Sequence, residues 1–345
     1  MRDHVSVERD LVEPDLVETV SFARRDHQGP MPRPTAIHAP RSAPSDDDRL
    51  LRDVYTDSIG SLEYLLHVPA RTGTRPPLFV MLHGAGQSAS DFAEGTRMHE
   101  AVRECGGIAL FPEQARGAHP FGSWNWYDEK HQFASGGEPS MLAGLTRQVI
   151  RDHDADPTRV YVAGMSSGGA MAMILAQTHP ELFAAVGVHS GIATGVARDL
   201  RSALRVMSSG PPTDVFATLE TAGAARSLAP LPTIVFHGDR DQTVHPSNAE
   251  AVLAQALNRT GLPVPAGANS ARGSMTVPGG RVVTLVRHAR RKGQPDAEMW
   301  LVHGAGHAWT GGSAKGSFTD AAGPDATREM LRFFLMQSRP RRRER

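Results

Sequence analysis

Residues 160–176, VYVAGMSSGGAMAMILA, pass from a continuous apolar stretch into glycine and serine and out again into small residues that favour helix. That break is the tightest constraint in the chain. A strand that turns directly into a helix leaves no room beside the central residue of the turn, so its flanking positions must be small. Gly164-Met165-Ser166-Ser167-Gly168 meets this demand with Gly164 and Gly168. Ser166, at the centre, is then held in a strained backbone conformation with its Oγ above the end of the strand, where a nucleophile belongs. A phosphate-binding loop of similar glycine content would close on Gly-Lys-Ser/Thr, and that ending is missing.

A serine hydroxyl is a poor nucleophile at neutral pH, so Ser166 requires a histidine base and a carboxylate that orients it. After a turn of this kind the order along the chain is serine, acid, histidine, each at a strand end. TIVFHGDRDQTVHP offers Asp239 and Asp241. Asp239 directly follows Gly238 and suits a turn cap, whereas Asp241 lies far enough along the loop to reach a histidine. EMWLVHGAGHAWTGG offers His303, which closes a strand, and His307, which sits beyond it among glycines. Asp241 and His307 are the preferred pair. The two histidines do not suggest a metal site, because Gly304 and Gly306 break the helical spacing that would converge them. The anion formed by attack on a carbonyl needs donors, and the backbone amides of Ala85, in His83-Gly84-Ala85-Gly86-Gln87, and Ser167 are the candidates. His83 is read as ordering that loop from below.

Short apolar runs alternate with helical patterns through the rest of the chain. SLEYLLHV, PLFVMLHG, GIALFPE, RVYVAGM, AAVGVHSG, TIVFHGD and EMWLVHG read as strands, several apolar enough to be buried on both faces of a parallel sheet. DFAEGTRMHEAVREC, EPSMLAGLTRQVIRDH, GGAMAMILAQTH, HPSNAEAVLAQALNR and DATREMLRFFLMQ read as helices between and after them. This predicts an α/β, doubly wound sheet covered by helices, with a catalytic domain over 49–338. Residues 1–48, rich in Pro, Asp, Arg and Ser, are expected to be disordered, and 339–345 to form a basic tail. Two regions fall outside the rhythm: 192–230, a candidate cap over the sheet, and 259–280, a surface loop before a hairpin of VVTLVRH with EMWLVHG.

Thirty-seven basic residues balance 37 acidic ones, so charge points to neither nucleic acid nor a membrane surface. No segment approaches the ~20 apolar residues of a membrane span. The single cysteine, Cys105, excludes an intramolecular disulfide and a cysteine-based zinc site. With no signal-peptide core at the N-terminus, the cytoplasm is the expected location.

Together these residues resemble the esterases related to polyhydroxybutyrate depolymerases, within the α/β-hydrolase superfamily. The likeness runs from about Tyr64 to Phe334. It rests on LHGAGQSASDFAEGTRM, ALFPEQ, SWNWYD, VYVAGMSSGGAMA, HGDRDQTVHPSNA and GAGHAWTGGSAKGSFTDAAGPDATREMLRFF. The resemblance implies an α/β-hydrolase fold and a serine esterase with Ser166, Asp241 and His307 as its triad, working without metal or cofactor. Relatives often carry cysteine where this chain has Ala85 and Ser123, so a secreted, disulfide-stabilised character is not expected. Hydroxyalkanoate-type oligomers or related short-chain esters are the implied substrates. Feruloyl or acetylxylan-type esters, or other polyesters, form the alternative, and a non-catalytic binding protein on the same scaffold is the rival from another class. Trp309, two residues after His307, Trp124 and Gln87 are the candidate substrate-binding residues, the tryptophans as walls of an apolar pocket. The oligomeric state is left open.

Overall fold

Runs of Val, Ile, Leu and Phe with no polar alternation can be satisfied only where a strand is covered on both faces. Five such runs are buried along their whole length: β3 (Leu78–Leu82), β4 (Ile108–Pro112), β5 (Val160–Met165), β6 (Ala185–His189) and β7 (Thr233–Gly238). The computed structural model describes residues 48–72, 74–212, 231–258, 270–289 and 296–340, all within one compact unit. The remaining strands of the sheet are β1 (Arg49–Thr56), β2 (Ser61–Val68), β8 (Ser270–Thr276), β9 (Val282–His288) and β10 (Ala297–Val302). Their order is β1-β2-β4-β3-β5-β6-β7-β10-β9-β8. From β4 to β10 neighbours run parallel, while β1, β2, β8 and β9 close the two flanks in antiparallel pairing.

The helices are α1 (Ala89–Thr96), α2 (Met98–Arg103), α3 (Gly137–Asp152), α4 (Ser167–Thr178), α5 (Leu200–Ser209), α6 (Ser247–Asn258) and α7 (Ala326–Leu335). Successive residues of β3 feed opposite cores, as the two-residue strand period demands. Leu78, Val80 and Leu82 join Leu142 and Leu145 of α3, Met171 of α4 and Val252 of α6. Phe79 and Met81 join Phe92 of α1, Val102 of α2 and Met330, Phe333 and Phe334 of α7. Helix α4 is buried on nearly every face, which explains its composition of Gly, Ala, Met and Leu: a helix wrapped by protein has no solvated stripe to mark.

Each of the seven apolar runs forms a strand, and VVTLVRH pairs antiparallel with the run ending in Val302, bringing Val302 opposite Val283. Three features differ from the sequence reading. DFAEGTRMHEAVREC is two helices, because Arg97 adopts a left-handed conformation (φ 54°) between α1 and α2 while its guanidinium donates to the Gly311 carbonyl at 3.0 Å. Strand β1, absent from the sequence reading, is an edge strand exposed along almost all of its length, with Leu50, Leu51 and Val54 open to solvent. Strand β8 lies in the stretch read as a surface loop. Of the candidate cap, residues 200–209 form α5, started by a capping box between Asp199 and Ser202, and 213–230 lie outside the described residues. So do 1–47, 259–269 and 341–345, which include most of the expected disordered segment and basic tail. Among the described residues no helix is long and apolar enough to cross a membrane.

The centre of the sheet depends on glycine where α4 meets β3. A Cβ on Gly168 would strike the Leu82 carbonyl oxygen, and one on Gly164 would strike the Gly168 backbone. Backbone contacts of this kind cannot be relieved by a rotamer change. Gly168→Ala should therefore destabilise the fold by roughly 1–3 kcal/mol, the usual cost of overpacking. Urea unfolding measures this, and an unchanged midpoint would mean that α4 does not need the close approach.

Candidate active site

Ser166 stands between the last residue of β5 and the first of α4, at φ 55° and ψ −121°. A non-glycine residue held there costs of order 1–3 kcal/mol and persists only if its surroundings fix it. They do: the Ser166 amide donates to the His189 carbonyl at 2.9 Å, and its own carbonyl accepts from Ala170 at 3.0 Å. Ser167 opens α4, so its backbone amide belongs to the helix's first turn, where no intrahelical acceptor exists.

The loop after β3 lies against this turn, with the position of a Cβ on Gly84 only 3.4 Å from Ser166 Cβ. Its amides are already engaged on either side of Ala85. Gly84 donates to Gln87 Oε1 at 3.0 Å, and Gly86 donates to the Phe121 carbonyl at 2.8 Å. The Ala85 amide has no acceptor among the described residues. His83 anchors the loop from beneath: Nδ1 donates to the Gly84 carbonyl at 2.8 Å, and Nε2 accepts from the Gln114 amide at 3.1 Å. Burial holds its pKa below the ordinary histidine value, so the ring stays neutral, as this bonding pattern requires.

Gln87 does not fit the substrate-contacting role expected for it. Its Oε1 holds the Gly84 amide, and its Nε2 donates to Asp91 Oδ2 (2.9 Å) and to the Ser317 carbonyl (3.2 Å). Both ends of the carboxamide are used to brace the loop.

Asp241 and His307 are brought together. His307 Nδ1 donates to Asp241 Oδ2 at 2.7 Å, with the carboxylate fully buried and the imidazole nearly so. The other oxygen, Oδ1, accepts from the Thr243 and Val244 amides at 2.9 and 2.8 Å. Burial works to raise the Asp241 pKa, but hydrogen bonds from His237 and His307, the charge of His307 and the Val244 amide outweigh it and hold the carboxyl well below the usual range. Asp241 is therefore ionised at neutral pH. His237 was not singled out in the sequence. It closes β7, is fully buried, donates from Nε2 to the Val244 carbonyl at 2.8 Å and lies 3.4 Å from Asp241 Oδ2.

Asp239 and His303 form a second pair, His303 Nδ1 donating to Asp239 Oδ2 at 2.8 Å. The Nε2 of His303 bonds Thr284 Oγ1 at 2.8 Å on β9, the side of β10 away from Ser166. The loop carrying His307 instead folds back toward Ser166. Three residues on, the Thr310 amide donates at 3.1 Å to Nε2 of His189, whose carbonyl holds the Ser166 amide. Burial first, then the nearby His237 and His307, push the His189 pKa down to about 3. His189 therefore acts as a neutral acceptor.

The two tryptophans are core residues. Trp309 stacks on His189 (5.1 Å between ring centroids), meets Phe92 edge-on and donates from Nε1 to Thr327 Oγ1 at 3.0 Å. With 1% of its surface exposed it cannot wall an open pocket, and the expectation is corrected: proximity to His307 in sequence places it under the loop. Trp124 is fully buried and donates from Nε1 to the His83 carbonyl at 3.0 Å. It borders a cavity of about 660 Å³ with Met141 and Glu138, but neither Ser166, Ala85 nor His307 lines that cavity. Trp309→Ala should destabilise the protein by roughly 3–5 kcal/mol, while Trp309→Phe leaves KM for a short ester unchanged. Denaturant melts and steady-state kinetics check this, and a raised KM with normal stability would return Trp309 to the pocket.

The family described as Esterase PHB depolymerase matches residues 62–276, a span that contains Ser166 and Asp241. Poly(3-hydroxyalkanoate) depolymerase C of Paucimonas lemoignei is 29% identical over 206 residues, which are 59% of this chain and 50% of that protein. Feruloyl esterase B of Thermothelomyces thermophilus is 27% identical over 219 residues, 60% of this chain and 74% of the relative. The chain thus spans half the length of the depolymerase it matches. Among solved structures, an acetyl xylan esterase from Aspergillus awamori superposes with a TM-score of 0.65 at 19% identity, covering 84% of this chain and 99% of that one, which makes the sheet and its helices an α/β-hydrolase fold. This chain belongs to the Esterase PHB depolymerase family.

Proposed function

We propose that the protein is a serine esterase that cleaves carboxylic esters through an acyl-enzyme, with Ser166, Asp241 and His307 as its triad. The observation that carries this reading is the 2.7 Å bond from His307 Nδ1 to a buried, ionised Asp241. That bond fixes the tautomer, leaving the Nε2 lone pair to take a proton. His307 Nε2 removes the Ser166 Oγ proton as Oγ attacks the ester carbonyl, and the Ala85 and Ser167 amides receive the negative charge that gathers on the carbonyl oxygen. Collapse of the tetrahedral species breaks the bond to the alcohol oxygen, which leaves with the proton from Nε2. Water then repeats the sequence on the acyl-serine, releasing the acid and restoring Ser166. Each amide is worth roughly a hundred- to a thousandfold in rate in sites of this kind.

The preferred substrates are hydroxyalkanoate oligomers and related short-chain esters, in line with the depolymerase relative. A second reading, a feruloyl-type esterase, is favoured by the match over 74% of the feruloyl esterase's length. The single Cys105 leaves no disulfide to maintain, which suits the reducing cytoplasm. Rates on hydroxybutyrate oligomers, aryl cinnamates and acetylated sugars separate the substrate readings: preferential hydrolysis of cinnamates would overturn the first.

Ser166→Ala should abolish hydrolysis of p-nitrophenyl acetate and labelling by an organophosphonate while leaving the thermal melt intact. Turnover near that of the parent would remove Ser166 from the mechanism, and a folded parent that takes no label would favour a binding protein. Asp241→Asn should lower kcat by about 10⁴-fold through the wrong imidazole tautomer.

A further inference from the structure

Asp239 and His303 stand two and four residues ahead of Asp241 and His307, so the acid loop and the base loop each carry an inner and an outer member of an Asp–His pair. The inner pair is closed off, with 0% and 11% of the side chains exposed, against 30% and 37% for Asp239 and His303. The outer pair is nonetheless the more heavily cross-linked. Asp239 Oδ2 accepts from His303 Nδ1, and its Oδ1 accepts from the Gly304 amide at 2.7 Å. Its backbone amide donates to the Val302 carbonyl at 3.1 Å, and the Arg240 amide donates to Ala305 at 2.9 Å. Nε2 of His303 is tied to Thr284 on β9. Where the loops touch, a Cβ on Gly238 would meet the Ala305 carbonyl oxygen. The Asp239 side chain thus joins the end of β7 to the end of β10, two residues before Asp241 on one loop and, through Gly304 and His303, three and four residues before His307 on the other.

We infer that Asp239 and His303 are positioning residues: they lock the acid loop to the base loop in one register, and so keep Asp241 against His307 Nδ1. The inference rests on the triad assigned under the proposed function. Neither residue reaches substrate. His303 has both ring nitrogens engaged, one across β10 on β9 and one on Asp239. Asp241 is held by its own amide bonds to Thr243 and Val244, but these belong to the acid loop alone and fix nothing relative to His307. Among the described residues, the side-chain bonds between the two loops are those made by Asp239 and by Asp241. Loss of the outer pair leaves the acid–base contact as the side-chain bond between the loops, beside the backbone bonds from Asp239 to Val302 and from Arg240 to Ala305.

The test measures kcat and KM on p-nitrophenyl acetate, with kcat counted per Ser166 labelled by an organophosphonate. Asp239→Asn and His303→Ala should each lower kcat by roughly 10- to 100-fold, the scale of a small misplacement of reacting groups, with KM unchanged. His303→Asn, which retains an N–H donor near the position of Nδ1, should recover most of the loss. A purely structural role would lower the melting temperature without moving kcat per labelled serine, and that result would overturn the inference. If Asp239→Asn does not fold, Thr284→Val carries the test, with the same split expected at smaller amplitude and an unchanged kcat counting against the inference. A loss of about 10⁴-fold in Asp239→Asn, with Asp241→Asn mild, would make Asp239 the triad acid and overturn both the inference and the assignment of Asp241. A parent chain that neither hydrolyses the ester nor takes the label overturns the esterase reading and the inference with it, whereas an active parent with unaltered variants overturns the inference alone.

Discussion

Everything at the carboxyl edge of the sheet depends on how closely α4 can approach β3. Gly168 sits where any Cβ would strike the Leu82 carbonyl, so the first turn of α4 packs backbone against backbone at the strand end. That approach makes the turn at Ser166 tight enough to require φ 55° from a residue with a side chain. The strain of roughly 1–3 kcal/mol is supported by bonds to His189 and Ala170. The same contact brings the end of β3 beside the turn, which places the Gly84-Ala85-Gly86 loop and the first amide of α4 on a common side. One steric condition, met by glycine, thereby sets both the turn at Ser166 and the loop packed beside it.

Asp241 and His307 are held by a different kind of constraint. β7 and β10 are parallel neighbours with Val302 opposite Gly238, so their loops leave the sheet at the same level. Two aspartates and two histidines follow within a few residues, and chemistry alone does not tell them apart. Burial and direction do. The Asp241 carboxylate is enclosed yet ionised, with three donors on its oxygens and His237 3.4 Å away. Asp239 is partly open, and although burial acts against its charge, bonds from His303 and Gly304 keep it below the ordinary range. His303 is turned toward β9, across the sheet from Ser166, whereas the chain after His307 lies on His189 beside it.

Much of this could be read from the sequence because its causes are local. The spacing of Gly164, Ser166 and Gly168 follows from sterics within five residues, and buried strands advertise themselves as unbroken apolar runs. Loop reach favours Asp241 and His307 over Asp239 and His303 in the sequence; the structure bonds both pairs, at 2.7 and 2.8 Å, and differs between them in burial. What escaped notice depends on distant partners. The edge strand β1 shows no alternation of apolar and polar residues, leaving Leu50, Leu51 and Val54 exposed while Tyr55 packs against the core. The break at Arg97 is tied to Gly311, more than two hundred residues away. Trp309 follows His307 closely enough to suggest a pocket wall, but its ring belongs to the core formed with Phe92, His189 and Thr327. Gln87 looked available to a ligand because nothing nearby in sequence revealed Ser317 as its partner. Fold and nucleophile are thus written in short-range pattern, whereas the roles of polar side chains around the site are written in contacts that only the tertiary structure supplies.

The polar surroundings also determine where charge resides. His83 and His189 flank the turn, and burial keeps both rings neutral, each accepting a backbone amide through Nε2. An imidazolium at either position would place a fixed positive charge near Ser166, and one at His189 would also compete with His307 for the field of Asp241. With both neutral, neither ring adds a positive charge to the surroundings of the Asp241–His307 bond, in a medium where charges interact more strongly than in water. Donors fixed before the reaction need no reorientation as the oxyanion appears. Bracing of the Gly84–Gln87 loop by Gln87, Asp91, Ser317 and Gln114 gives that advantage a structural origin. The order of this edge of the sheet therefore comes from polar side chains that are spent on the protein's own backbone and on one another.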